Sequence, residues 1–343
     1  MRLRIGLVGI SRDWQMRHHP ALRMLQERFE LRGVYSSVMA LADGVAKEFG
    51  AQTCDGFRSM IAREDIDAIM MLEGDWYGVA PLMAACEFGK AIYCGGEVDF
   101  DPQQAAELRH AVNDSGVAFM AEFPRRFAPA TLRLKELIAT RLGQPKLLFC
   151  HRRLPRENSD GRRNGRSLTA RADRELVELI DWCRFIVGRN VRAVQAIGHP
   201  GSESATRESD YQVLSLDLSE PSAPPFATLA QISCGAYMPA TWCEAITFRP
   251  PAAVQVCCEK GLAFVDLPST LIWFDEAGRH QESLETELSV GQQLFSQFHR
   301  AVTSLVRKTA DLEDIYHSLT TLQMARRSMG TGQRITLDAQ TSM

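Results

Sequence analysis

The chain has 343 residues, 45% of them hydrophobic and 24% charged, with a formal net charge of −3. That length exceeds one ordinary core, so two domains are expected, and the charge gives no global attraction to nucleic acid or to a membrane surface. No apolar run approaches the roughly 20 residues of a membrane span and no leader pattern precedes the first strand, so a cytoplasmic protein without nucleic-acid or membrane partners is expected.

The chain opens on Leu3-Arg4-Ile5-Gly6-Leu7-Val8-Gly9, an apolar run closed by glycine, followed by Ile10-Ser11-Arg12-Asp13-Trp14 and a helix-like stretch from His19 to Leu25. A strand, a turn and a helix in this order begin a dinucleotide-binding βαβ unit, whose fingerprint is G-x-G-x-x-G. The three glycine places hold Gly9, Ser11 and Trp14. The first glycine permits the tight turn, the second lets backbone approach a pyrophosphate, and the third lets helix pack on strand. Only the first is kept. An indole fits the third place only if the helix starts later, near His19-Pro20.

Short apolar strands then alternate with helical stretches: strand Leu31 to Ser36, helix Met39 to Phe49 ended by Gly50, strand Ile66 to Leu72, and helix Val79 to Phe88. Strand Ala91 to Cys94, helix Pro102 to Asp114 and strand Val117 to Met120 complete the series. This rhythm predicts a Rossmann-type parallel sheet with helices on both faces. Gly95-Gly96 reads as a strand-to-loop turn, or else as backbone passing close to a ligand.

Beyond Phe123 the rhythm changes. Helix Ala130 to Ala139 and strand Pro145 to Arg153 lead into an arginine-rich loop, 152–174, and then helix Asp173 to Val187 ended by Gly188. Strand-like runs follow without intervening helices: Val191 to Ile197, Tyr211 to Leu218, Phe226 to Cys234, Ala245 to Phe248, Ala253 to Cys258, Leu262 to Val265 and Leu271 to Phe274. They predict an α+β domain with a large, mostly antiparallel open sheet. The expected domains are 1–122 and 123–343, with the closing helix 311–329 packing back on the first. The nine cysteines form no C-x-x-C pair and sit mostly in apolar runs, and the eight histidines show no ligand spacing. Buried free thiols and no metal site are expected.

Several stretches carry a family likeness in order and spacing. They are Ile66-Asp67-Ala68-Ile69, Phe88 to Cys94, Arg126-Phe127, Ile180-Asp181-Trp182 to Gly188, and Leu312-Glu313-Asp314 with Met324 to Ser328. Together with the domain order they make the chain similar, over nearly its whole length, to the glucose–fructose oxidoreductase / inositol dehydrogenase / MocA (Gfo/Idh/MocA) family. The resemblance implies an NAD(P)-dependent oxidoreductase of sugar-like substrates. It further implies an E-K-P lysine at the reacting hydroxyl and nicotinamide ribose, and a helical aspartate and histidine, four residues apart, that position substrate and move the proton. On this chain the lysine place is Gly96, the aspartate place Arg174 and the histidine place Glu178. The T-P…H segment is replaced by Leu72-Glu73-Gly74-Asp75-Trp76-Tyr77, and the second strand ends in Ser36-Ser37 where an acidic residue would hold a ribose diol. The familiar mechanism is therefore not expected to operate.

Arg174, Glu178 and Asp181 share one helix face by their i, i+4, i+7 spacing. Two readings stay open: a rebuilt site, with Glu178 as acid/base and Arg174 on an anionic group, or an i,i+4 ion pair on a solvated face. Arg126 and Arg153 are candidate substrate contacts, since a guanidinium forks onto carboxylate or phosphate. Candidate cofactor contacts are Gly9, Ser11, Arg12, Ser36, Ser37, Leu72, Glu73 and Glu97. Arg12 with Ser36-Ser37 favours NADP over NAD, and loss of the cofactor is the other reading. The functional alternatives are hydride transfer on a sugar-like or anionic hydroxyl or carbonyl, a non-catalytic pseudoenzyme subunit or binding partner of an active enzyme, and a nicotinamide-assisted lyase or glycosidase. The open sheet is the expected surface for homo-oligomerisation, or for pairing with a different chain.

Overall fold

A computed structural model describes residues 1–11, 13–73, 77–95, 102–156, 168–200, 209–248, 251–284, 288–304 and 310–337. The chain forms two compact units, Met1–Pro124 with Glu287–Tyr316, and Arg125–Thr286 with His317–Met343.

The first unit is built on strands β1 (Leu3–Val8), β2 (Phe29–Tyr35), β3 (Gln52–Thr53), β4 (Ala68–Met71), β5 (Ala91–Cys94) and β6 (Phe119–Ala121). They pair in the order β3-β2-β1-β4-β5-β6, and every pair is parallel. Every residue of β4, β5 and β6 is buried, as expected of strands covered on both faces. The connections carry α1 (His19–Met24), α2 (Met39–Phe49), α3 (Phe57–Ile61), α4 (Ala80–Glu87) and α5 (Pro102–Ser115). Strand order reverses between β2-β1 and β4, and at such a switch point the loops leaving the strand ends form a crevice.

The second unit begins with α6 (Pro129–Leu137), β7 (Pro145–Arg156) and α7 (Leu168–Val187), followed by β8 (Ala193–Pro200), β9 (Ser209–Asp217) and β10 (Leu229–Pro239). Next come α8 (Cys243–Thr247), β11 (Val254–Cys258), β12 (Leu262–Asp266), β13 (Thr270–Asp275) and β14 (Gly278–Ser283). Then α9 (Val290–Thr303) belongs to the first unit, the unit boundary falls within α10 (Ala310–Thr331), and β15 (Ile335–Thr336) ends the described chain. The sheet runs β14-β13-β12-β11-β7-β10-β9-β8-β15 and is antiparallel except between β7 and β10. One face is covered: α6 lies on β12 and β13, and α7 lies on β10, β7 and β9. Trp182 of α7 is fully buried and donates its indole N–H to Thr131 Oγ1 of α6 at 3.1 Å.

Three expectations are corrected. Ala245 to Phe248 is not a strand; Cys243–Thr247 forms the single turn α8, because a four-residue apolar run carries no period that separates strand from helix. The run at Phe226 starts late, at Leu229, because Phe226 takes φ +58, a left-handed turn conformation. The run of strands after Gly188 is also not the last structure before the closing helix, since α9 intervenes. Of the cysteines, Cys86, Cys94, Cys150, Cys183 and Cys234 are buried, while Cys54, Cys257 and Cys258 are half-buried.

Candidate functional site

In the first unit the site begins at Gly9, which closes β1 at φ +75. A Cβ there would lie 2.5 Å from Glu73 Cβ, so the loops leaving β1 and β4 meet with no room for a side chain. Ser11, half-buried in the loop, sets its Oγ 3.2 Å from His18 Nδ1. Trp14 is 3% exposed and stands edge-on to His19 and Phe49, with ring centroids 5.8 and 6.2 Å away. It opens a π-turn, Trp14–His18, and the α-helix proper starts only at His19 with Pro20 in its first turn. The wider turn is the local way of seating an indole where a glycine would otherwise bring helix close to strand.

Below this loop sits a buried carboxylate, Glu122, directly after β6. Its Oε2 receives His18 Nε2 at 2.8 Å and the Tyr93 hydroxyl at 3.0 Å, and Arg17 donates to its Oε1. Burial raises the Glu122 carboxyl, but His18 and Arg17 outweigh burial and hold it at about 2. It is a fixed anion and an acceptor only, which makes the His18 Nε2–H the donor and leaves Nδ1 for Ser11. Burial and Glu122 push the Tyr93 hydroxyl well above its ordinary range, so it remains a donor. The chain Ser11–His18–Glu122 thus ties the loop after β1 to the end of β6. Helix α9 closes the cluster: Phe295 stacks on His18 at 5.9 Å and meets Tyr93 edge-on at 5.1 Å. Gly291 permits this approach, because a Cβ there would lie 2.6 Å from the Arg17 carbonyl oxygen.

At the end of β2, Ser36 is 7% exposed and its Oγ accepts the Val38 N–H at 3.3 Å, while Ser37 faces solvent. Tyr35, Phe57 and Tyr77 pack on one another there with ring centroids 5.5 to 6.0 Å apart. Leu72 is fully buried and its N–H donates to the Val8 carbonyl, so it belongs to the sheet's core. Arg12 and Glu97 lie outside the described residues, as does Gly96 of the E-K-P place.

In the second unit the acidic residues of α7 are paired with arginines. Arg125 donates to Glu178 and, at 2.6 Å, to Glu175, which also faces Arg152 at 3.4 Å. Burial raises Glu175, but Arg125 and Arg152 bring it below its ordinary range. Arg126 grips Asp181 with two nitrogens, one at 2.7 Å, and both residues are buried. Arg184 approaches the same carboxylate at 3.7 Å. Arg174 and Glu178 are half-buried on the expected face, whereas Asp181 is 1% exposed and belongs to the interior. Arg153 is used locally, donating to the Phe248 carbonyl at 2.9 Å.

Sequence reasoning did not find Arg17, His18, Tyr93, Glu122, Arg125 or Glu175. The available signal for Glu122 was its place, a lone acid at the C-terminal end of a buried strand, where open parallel sheets hold their ligands.

Residues 3–123 match the oxidoreductase family with an NAD-binding Rossmann fold. The chain is 30% identical over 120 residues to a D-xylose 1-dehydrogenase (NADP(+)) of Haloferax volcanii, covering 33% of this chain and 35% of that one. It is 26% identical over 157 residues to an inositol 2-dehydrogenase of Saccharopolyspora erythraea, covering 45% and 46%. These matches span less than half the length of either relative. A crystal structure of an oxidoreductase from Thermotoga maritima shares the fold across 98% of both chains, with a TM-score of 0.80 and 16% identity.

Proposed function

We propose that this chain, whose residues 3–123 belong to the Gfo/Idh/MocA oxidoreductase family, binds a nicotinamide dinucleotide and oxidises or reduces a sugar-like substrate without the E-K-P lysine. The observation that carries this reading is the geometry of the switch point: Gly9 is left-handed there, and the loops after β1 and β4 meet at it. The residues fit a dinucleotide. Gly9 keeps the tight turn, and Ser11 offers a partly exposed hydroxyl beside the turn where a second glycine would admit a pyrophosphate. No carboxylate stands at Tyr35-Ser36-Ser37 to accept a ribose diol or to repel a 2′-phosphate, which favours NADP. Arg12 and Ser37 are the proposed 2′-phosphate contacts, and Glu73 and Glu97 the proposed contacts from the neighbouring loops.

A bound nicotinamide supplies the hydride chemistry; the chain supplies proton transfer and orientation. Glu178 is the proposed acid/base, its carboxylate held in place by Arg125. Arg174 is proposed to hold an anionic part of the substrate. Arg126 and Asp181 act as a pair, each neutralising the other, and their proposed role is to set the position of α7. Glu178→Gln tests the proton step. Turnover of sugars, polyols and sugar acids, followed by nicotinamide absorbance, should fall on the order of a hundredfold or more while NADPH binding is kept. Unchanged turnover removes Glu178 from the mechanism.

One observation favours a second reading, a non-catalytic binding subunit. The Arg126–Asp181 and Arg125–Glu175–Glu178 pairings satisfy these charges within the protein. NADPH binding with no turnover on any of these substrates, alone or with a second chain, would support it.

A further inference from the structure

We infer that Glu122 positions the loop after β1 by carrying, just after β6, the carboxylate that an E-K-P sequence would carry at residue 95, just after β5. The inference deepens the proposed function, on which its dinucleotide part rests.

The sequence place of that acid is Gly95. Its φ lies outside the left-handed range, so the backbone tolerates a side chain there; space does not. A Cβ on Gly95 would lie 2.6 Å from Glu122 Oε2, 2.8 Å from Leu72 Cδ2 and 2.8 Å from Tyr93 Cε1. The position is therefore occupied, and by a carboxylate. The ladder explains how one residue can stand in for the other. Cys94 pairs with Ala121 in parallel register, the Glu122 N–H donates to the Cys94 carbonyl at 2.8 Å, and residues 95 and 122 are the next step along. Partners in a parallel ladder send their side chains to the same face, so an acid on either strand can reach one spot.

The carboxylate at this spot has a definite task. It pairs with Arg17 and His18, the last two residues of the π-turn, and His18 in turn faces Ser11 in the loop. Tyr93 adds a third donor from β5. Removing the acid leaves the buried His18 imidazole and Tyr93 phenol without their shared acceptor, and Arg17, which also faces Asp13 at 3.1 Å, without its inner one; such groups are costly to bury unpaired. Returning an acid at 95 should satisfy them again, provided Glu122 is gone to make room.

The test is an exchange. Gly95→Asp, Glu122→Ala and the double variant Gly95→Asp/Glu122→Ala are compared with the parent chain by thermal unfolding and by titration with NADPH. Each single variant should unfold at lower temperature and bind NADPH at least about tenfold more weakly, as expected for loss of hydrogen bonds to a charged group. The double variant should recover most of both losses. A double variant no better than the sum of its singles overturns the inference. If the singles fail to fold, a soluble double variant with parent-like circular dichroism is itself the rescue. Glu122→Gln keeps the shape and loses the charge; parent-like NADPH affinity in that variant also overturns the inference. Failure of the parent to bind NADPH sinks the proposed function, but the thermal comparison still decides the exchange.

Discussion

Glu122 shows what one buried acid does for this fold. Its carboxyl is held at about 2 against an ordinary 4.5, so the folded chain takes up that proton less readily than the unfolded one. The stability it contributes is complete above about pH 4.5 and is lost as pH falls towards 2, a contribution on the order of 3 kcal/mol. Glu122→Gln should therefore be less stable than the parent at pH 7, and the gap should narrow below pH 4. Urea unfolding of both proteins at several pH values measures this, and a gap that stays constant with pH would contradict it. None of this was legible in the sequence. His18 and Glu122 are 104 positions apart, and only the parallel sheet brings them together. What could be read was local: Gly9 as a turn glycine, and the loss of glycine at Ser11 and Trp14. The charges of α7 were half legible. Their common face follows from spacing, but the partners Arg125 and Arg126 come from a different element, so pairing could not be read from the helix alone.

At the scale of elements, patterns that repeat along one segment were readable. The fully buried runs of β4 and β5 stand out because nothing polar interrupts them. Helix α9 was missed although it carries a capping box: the Ser289 hydroxyl accepts the Gln292 N–H, and the Gln292 side chain accepts the Ser289 N–H at 2.8 Å. Its large buried apolar side chains, Leu294, Phe295 and Phe298, follow helical spacing but are few, and they are interleaved with polar residues. This helix sets Phe295 and Phe298 against Tyr93 and Phe29, so its start matters to the cluster beneath the loop after β1. Ser289→Ala should lower the stability of the chain by about 1 kcal/mol, the usual worth of an N-cap side chain. Chemical denaturation reads this directly; no loss would mean that packing alone holds the helix start.

At the scale of the molecule, the sheet of the second unit exposes apolar side chains among the described residues. Leu147, Phe149 and Phe274 are 38, 36 and 39% exposed. The ladder puts Leu147, Cys257, Leu262 and Phe274 in one row across β7, β11, β12 and β13, beside a row of Phe149, Gln255, Phe264 and Ile272. We propose that a second copy of the chain covers this face. Sedimentation should give twice the chain mass, and Phe149→Arg should give the monomer; a monomeric parent would contradict the proposal. Among the described residues, no helix is long and apolar enough to cross a membrane.

The rewritten loop after β1 is proposed to hold a nicotinamide dinucleotide still. Calorimetric titration of the purified chain with NADPH and with NADH tests it most directly. Micromolar binding of NADPH, tighter than that of NADH, is expected, because no acid stands at the end of β2. Absence of binding for both up to millimolar concentration would mean that Ser11 and Trp14 have closed the crevice, and it would contradict the proposed function.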